Sequence, residues 1–325
     1  MSVTSFVDRN YRHFNAYALR EAARAYKSHL DSGGQMLVTL AGAMSTAELG
    51  LTLAEMIRQD KVHAISCTGA NMEEDIFHLV AANDYVKVPN WRSLTLEDDH
   101  ALWEKHLNRV TDVCIPEAEA MRVLESYLDA QWQRCDMTSK RQLPHQNLYD
   151  ILLNTDISKH FQKDPNESWM LAAAKKNLPM FVPGWEDSTT ANMYAGRVLL
   201  EKIKDPNTVK SGTEYMASAM EWYLGKTKDN IRLGMFQIGG GIAGDFVACI
   251  VPTLNQDFRG VFPSVPTWGY HCQICDSTTS YGSFSGCTPS EKITWGKLSP
   301  ETPAFVIESD ATIVAPLIFE YVMGN

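Results

Sequence analysis

The sequence predicts the α/β class: a parallel sheet with helices on both faces. Three observations predict it. Short apolar runs at 36–40, 62–67, 180–183, 234–238, 267–276 and 305–308 alternate with stretches of helical periodicity. The first connections, 41–46 and 68–71, are short, and alternating strand and helix with short loops makes a parallel sheet. Glycines, small residues and carboxylates gather just after the runs, where open α/β sheets bind ligands.

Each element has its local reason. Phe14, Tyr17, Ala18, Leu19, Ala22, Ala23, Tyr26 and Leu30 recur at helical spacing, so 1–33 reads as one helix ended by Ser32-Gly33-Gly34. Met36 to Leu40 is a buried strand. Ala41-Gly42-Ala43-Met44-Ser45-Thr46 leads into a helix over 47–58; small residues there let backbone N–H groups approach a phosphate. A strand over 62–67 and the turn Thr68-Gly69-Ala70-Asn71 follow. The next helix opens with Met72-Glu73-Glu74-Asp75, whose acids complement its dipole. At least two of the three acids are expected to be structural, leaving one to face an ammonium group. One strand is expected over 110–115, then helices over 117–135 and 168–176. After the strand at 180–183, Asp187 reads as the N-cap of a helix starting near Thr190. A helix spans 211–226. The strand 234–238 then runs into Gly239-Gly240-Gly241-Ile242-Ala243-Gly244, a GxGxxG pattern before a short helix over 245–250. No acid stands about 20 residues further on, where a dinucleotide fingerprint carries one. The segment 277–290 is a polar loop, and 311–323 is an apolar closing helix. With no repeat or linker, 1–325 reads as one domain: an N-terminal helical segment, 1–33, and an α/β core, 34–325.

Composition narrows the partners. The chain has 325 residues, 45% hydrophobic and 21% charged, as in ordinary globular proteins. A net charge of −10 argues against nucleic acid and anionic membrane surfaces and suits a cationic substrate. The start lacks the apolar core of a secretory signal, and no run approaches a membrane span, so a cytoplasmic location is expected. Seven scattered cysteines do not form a disulfide framework. Cys272-Gln-Ile-Cys275 is a lone CxxC without a second pair, so no metal is expected.

The segment Glu291-Lys-Ile-Thr-Trp-Gly-Lys297-Leu carries the chemistry. It sets Lys297 two residues after Trp295, on a turn opened by Gly296. A nucleophilic lysine must be neutral, which requires burial or a nearby cation, and an indole wall can desolvate it or hold a substrate cation. A bare Trp-Gly-Lys is more often a surface lysine after a turn. The other segments change that weighting.

Four segments occur in one order: the small-residue loop before a helix, Thr68-Gly69-x-x-x-Glu73-Glu74-Asp75, the triple glycine, and Trp295-Gly296-Lys297 followed by a strand ending near Asp310. Together they resemble deoxyhypusine synthase and the related homospermidine synthases, over most of the chain. The resemblance implies that family's Rossmann-like NAD-binding fold. It also implies NAD-dependent oxidation of a di- or polyamine, capture of an alkylamine fragment on a lysine as a Schiff base, and transfer to an acceptor amine. Carried onto this sequence, Lys297 is the Schiff-base lysine and Glu74 the carboxylate near the reacting amine. Thr46, Thr68, Asp187, Gly239, Gly240, Gly241 and Asp310 contact NAD. Trp295 and Glu291 line the substrate pocket. A homotetramer with sites between subunits is implied.

The departures fall in that pocket. Asn192 stands where the family has an acid, Asp245 where it has a histidine, and Cys249 where it has an asparagine. Phe284 and Tyr281 replace acids, and Gly42-Ala43 replaces a Ser-Asn pair. Losing an acid removes a partner for a buried ammonium, so an altered amine substrate is expected. One alternative is a true deoxyhypusine synthase acting on a protein lysine; the rewritten pocket and short N-terminal segment speak against it. A sirtuin-like deacylase would want a four-cysteine zinc module. A non-catalytic NAD-binding member is the remaining alternative.

Overall fold

The computed structural model describes residues 2–277 and 287–324. Its centre is a six-stranded parallel sheet. The strands are β1 (Gln35–Leu40), β2 (Ala64–Cys67), β3 (Met180–Phe181), β4 (Leu233–Ile238), β5 (Tyr270–Ile274) and β6 (Ala304–Ile307). Their order, β3-β2-β1-β4-β5-β6, is that of a doubly wound dinucleotide-binding sheet. The order reverses between β1 and β4, which opens a crevice beyond their C-terminal ends. Almost every position in β1, β2, β4 and β5 is buried, as expected for strands covered on both faces.

One face is closed by the Phe14–Asp31 and Ala311–Met323 helices. Tyr26 lies at its centre, with ring centroids 5.5 Å from Phe236 and 5.7 Å from Tyr270, and Phe319 packs 5.5 Å from Phe236. Tyr26 and Tyr270 keep their hydroxyls satisfied by donating to the Lys61 and Ala22 carbonyls. The Gly241–Ala248 and Gly212–Lys228 helices cover the opposite face.

The strands and most helices stand where the sequence puts them, and several details are corrected. The N-terminal segment is two helices, Val3–Asn10 and Phe14–Asp31. They break at Phe14, which has φ +54° and is 94% exposed, so it is not on the apolar face. The helix read over 47–58 is Gly50–Arg58. The single strand expected at 110–115 is an antiparallel hairpin, Leu107–Val110 with Val113–Pro116, joined by Val86–Lys87 in a separate small sheet. Thr111 and Asp112 form its turn, with Thr111 at φ +56°. No glycine or Asn-Gly marks the turn, so the sequence shows one apolar run where the chain makes two strands.

The acid triplet holds the largest correction. Thr68 caps the Gly69–Ala81 helix by accepting from the Asn71 amide, so the helix begins before the acids and none lies in its first turn. Two of the three are nonetheless structural, through longer-range bonds. Glu73 accepts from the amides of Thr189 and Thr190, both at 2.8 Å, at the start of the Thr189–Leu199 helix. Asp75 accepts from the Ser168 hydroxyl at 2.5 Å and the Met170 amide at 3.0 Å. Asp187 is not the cap of the Thr189–Leu199 helix: Ser188 is, accepting from the Ala191 amide.

Glu73 is therefore a tie between two connections. Glu73→Ala strands two amides at a helix start, and the expected loss of stability is about 2 kcal/mol by denaturant titration. A loss below about 0.5 kcal/mol would show that the helix start does not rely on that carboxylate.

Candidate active site

The crevice at the switch point has a volume of about 690 Å³. Its lining comes from the turn after β1 (Ala41 to Ala47), Gly239 after β4, and Cys275 and Asp276 after β5. Ser309 to Thr312 after β6 and the hairpin tip Val110 to Val113 complete it. The hairpin tip, with Asp112, is a wall that the sequence reading missed, because the turn itself was missed.

One buried side chain shapes the β1 turn. Asn71 is fully buried, and its amide nitrogen donates to the carbonyls of Leu40, Ala41 and Gly42 at 3.3, 3.3 and 2.9 Å. Its oxygen accepts from the Ser45 amide at 3.1 Å. Thr68 adds a bond from its hydroxyl to the Gly42 carbonyl at 2.7 Å. The predicted residue Thr68 thus supports the turn from below. Opposite, Gly239 has φ +77°, and a Cβ there would lie 2.8 Å from that of Ala41. Glycine is needed by both conformation and space. Gly240 and Gly241 then deliver the chain to the Gly241–Ala248 helix.

Thr46 lines the crevice with a buried hydroxyl that has no hydrogen-bond partner among the described residues. Asp112, Asp276 and Asp310 place carboxylates on its walls. Asp310 also caps the last helix, accepting from the Thr312 amide at 2.8 Å. Small-residue turns for backbone approach, an unpartnered hydroxyl, and carboxylates able to accept from ribose hydroxyls fit a dinucleotide. Asp187 and Asn192 are exposed and are not part of this lining.

Glu74 lies behind the crevice wall. It is 7% exposed, and its Oε2 has no hydrogen-bond partner among the described residues. Burial pushes its carboxyl up to about 7; the nearby Glu73 adds to the rise and Thr46 moderates it. It is the one acid of the triplet whose environment suits proton transfer near neutrality.

A second cluster surrounds Lys297. Gly296, at φ +69°, lets the chain reverse after the Pro289–Thr294 helix, and the Lys297 amide donates to the Lys292 carbonyl at 3.0 Å. The Lys297 side chain is buried, with Nζ 2.5 Å from Asp245 Oδ1. Burial alone would lower its pKa, but Asp245 and Cys249 outweigh that and the net direction is upward. Lys297 is an ammonium here, not the neutral amine expected from a desolvated lysine. Trp295 is 65% exposed with its ring centroid 5.9 Å from Nζ, so the indole borders the amine rather than enclosing it. Glu291 is exposed and accepts from the Cys287 thiol at 3.3 Å. Cys249 Sγ stands 3.6 Å from Asp245 Oδ2. The substitutions at Tyr281 and Phe284 lie outside the described residues.

Beneath the Gly241–Ala248 helix runs a polar row that the sequence reading did not single out. Ser66, Thr39, Gln237 and Gln273 are aligned neighbours on β2, β1, β4 and β5 and are all buried. Strand register made it visible; within each apolar run, the polar residue looked incidental. Cys272 belongs to the core of β5, and burial pushes its thiol up to about 12.

These features define a doubly wound α/β protein with a crevice at the switch point and a buried lysine paired with a part-exposed carboxylate of the glycine helix. The chain belongs to the deoxyhypusine synthase family, whose model matches residues 8–322. It is 24% identical to "Probable deoxyhypusine synthase 2" of Methanosarcina acetivorans over 316 residues, covering 94% of this chain and 81% of that protein. It is 26% identical to "Deoxyhypusine synthase-like protein" of Thermosynechococcus vestitus over 342 residues, covering 100% of this chain and 79% of that one. The crystal structure of a deoxyhypusine synthase candidate of Entamoeba histolytica superposes with a TM-score of 0.56 at 12% identity, over 99% of this chain and 92% of that one. That likeness supports the fold.

Glu74 gives a pH test. Its folded pKa lies above the ordinary carboxylate value, so its contribution is fully present below pH 4.5 and lost as pH rises through about 7. Glu73 and Asp75 are shifted the same way. Glu74→Gln should flatten the decline in stability between pH 4.5 and 7.5 by on the order of 3 kcal/mol in denaturant titrations. An unchanged slope would show that Glu74 ionises freely in the folded protein.

Proposed function

We propose that this protein is an NAD-dependent transferase. It moves an alkylamine group from a di- or polyamine donor to an acceptor amine through a Schiff base on Lys297. Family membership supports the reaction class. The observation that carries the reading is the pairing of the buried Lys297 with the part-exposed Asp245 of the helix that follows the glycine turn.

That pair suggests how the lysine is switched on. At rest, Asp245 keeps Lys297 protonated. A substrate ammonium entering beside Trp295 competes for the same carboxylate. Once Asp245 turns to the substrate, burial dominates at Lys297 and its pKa falls, so the amine becomes nucleophilic. Glu74 takes or returns a proton near neutrality. Thr46, Gly239 and Asp310 line the crevice and would hold NAD, which would supply the hydride acceptor; Thr68 shapes the turn behind them, Gly240 and Gly241 continue the glycine turn, and Asp187, exposed and off this lining, is assigned to NAD by family resemblance alone. Asn192 and Glu291 are assigned to the substrate end, with Asn192 unable to pair an ammonium as an acid would.

We assign a homotetramer with sites between subunits, in the cytoplasm. Phe258, Val261, Phe262 and Ile293 expose apolar surface on the segments around Trp295, which suits coverage by a second copy. Asp245 in place of histidine and Asn192 in place of an acid favour a small amine acceptor over a protein lysine. No helix among the described residues is long and apolar enough to cross a membrane.

Borohydride trapping tests the reading. With NAD and a panel of putrescine, spermidine and agmatine, an alkylamine adduct should form on Lys297, depend on NAD, and vanish in Lys297→Ala. No adduct from any of these amines, in protein that binds NAD, would overturn transfer from this donor class. Asp245→Asn should shift the pH midpoint of Lys297 labelling downward, because it removes the group that raises the lysine pKa. An upward shift would contradict the pairing.

A further inference from the structure

Lys297 is not the only buried lysine in its segment. Lys292, on the Pro289–Thr294 helix, is 6% exposed, as is Lys297. Their environments differ. Lys297 meets a carboxylate at 2.5 Å. Lys292 Nζ reaches only uncharged oxygens: Gln273 Oε1 at 3.5 Å and the Cys287 carbonyl at 3.4 Å. Among the described residues it forms no ion pair.

The surrounding charges push in a consistent direction. Burial lowers the Lys292 pKa, and the neighbouring Lys297 cation lowers it further; Cys287, Asp245 and Glu291 oppose this without reversing it. His271, on β5, is fully buried with both ring nitrogens without a hydrogen-bond partner among the described residues, and is pushed down to about 3 by burial, with Lys292 adding to the effect. The sheet below Lys292 thus offers a neutral imidazole and a neutral amide. An ammonium buried there would lack a hydrogen-bonded counter-charge, which is costly. A desolvated amine beside a second cation is the arrangement that activates a lysine as a nucleophile.

We propose that Lys292 is a second reactive amine of this protein, condensing with small aldehydes to form an imine while Lys297 stays paired with Asp245. The Nζ lone pair attacks the carbonyl carbon and a C–N bond forms. The carbonyl oxygen is protonated and leaves as water, and loss of the amine protons leaves C=N. Amine and aldehyde balance imine and water, so no oxidant or reductant is consumed. The limited exposure of Lys292 restricts the electrophile to a small, unbranched aldehyde. The inference deepens the transfer reading by adding an imine site to the same segment, yet it requires neither NAD nor oxidation of an amine.

The test uses the wild-type chain, propanal and cyanoborohydride at pH 7, without NAD. The rate of propylation is followed at each lysine by peptide mass spectrometry, with fragment spectra separating Lys292 from Lys297. One unit of pKa corresponds to roughly tenfold more free amine. Lys292, shifted down where Lys297 is shifted up, should therefore be labelled several-fold faster than Lys297 and faster than the exposed Lys105. Lys292 unlabelled while Lys105 reacts, or labelled no faster than Lys297, would overturn the proposal. Lys292→Met should remove the fast site and leave the Lys297 rate unchanged. Transfer of the fast labelling to Lys297 in that variant would equally overturn it. Fast Lys292 labelling without any NAD-dependent amine adduct would sink the transfer reading alone, and the reverse pattern would sink this one alone.

Discussion

The close approach of two chain turns at the sheet's switch point governs the rest of the molecule. β1 and β4 run side by side in parallel, and beyond them the chain must leave in opposite directions. The turn after β1 passes so near Gly239 that no side chain fits there. Asn71 fixes that turn by binding three successive carbonyls with one amide group, which satisfies polar backbone that would otherwise be buried unpaired. The crevice, the glycine helix and the position of Asp245 all follow from this arrangement.

Electrostatics then divides the site in two. On the crevice side, burial raises the carboxyls of the acid triplet, and hydrogen bonds commit Glu73 and Asp75 to holding other segments. Of the three, Glu74 alone keeps a buried oxygen without a hydrogen-bond partner among the described residues. On the Lys297 side, a single close carboxylate raises the pKa of one buried lysine, while burial lowers that of the other. Asp245 pairs with Lys297 and not with Lys292, so two amines of the same type, five positions apart, face opposite protonation pressures. A histidine at position 245 could not impose that division, because neutral imidazole lacks the fixed negative charge.

The strand runs and the glycine turn were legible because a parallel sheet needs continuous apolar segments and a close backbone approach needs glycine. The motif around Lys297 was legible through its residue order. The hairpin at 107–116 was not, because Thr111 takes a left-handed conformation without the usual glycine signal. Ser188 rather than Asp187 caps its helix because both residues are cap formers and only geometry selects between them. Glu73 and Asp75 sit well inside their helix, and their partners come from segments far along the chain, which local spacing does not reveal. The burial of Lys292 depends on β5 beneath it, which local spacing does not reveal.

The proposed transfer needs NAD in the crevice, and calorimetric titration of NAD into wild-type protein and Thr46→Val tests this most directly. The Thr46 hydroxyl is buried and lines the crevice without a close hydrogen bond among the described residues, and its effect on the Glu74 carboxyl is secondary to burial, so its loss should change stability little. Binding to the wild type should be saturable and should weaken roughly tenfold in Thr46→Val at a nearly unchanged denaturation midpoint. Saturable binding of equal strength in both proteins, or no binding to the wild type, would contradict it.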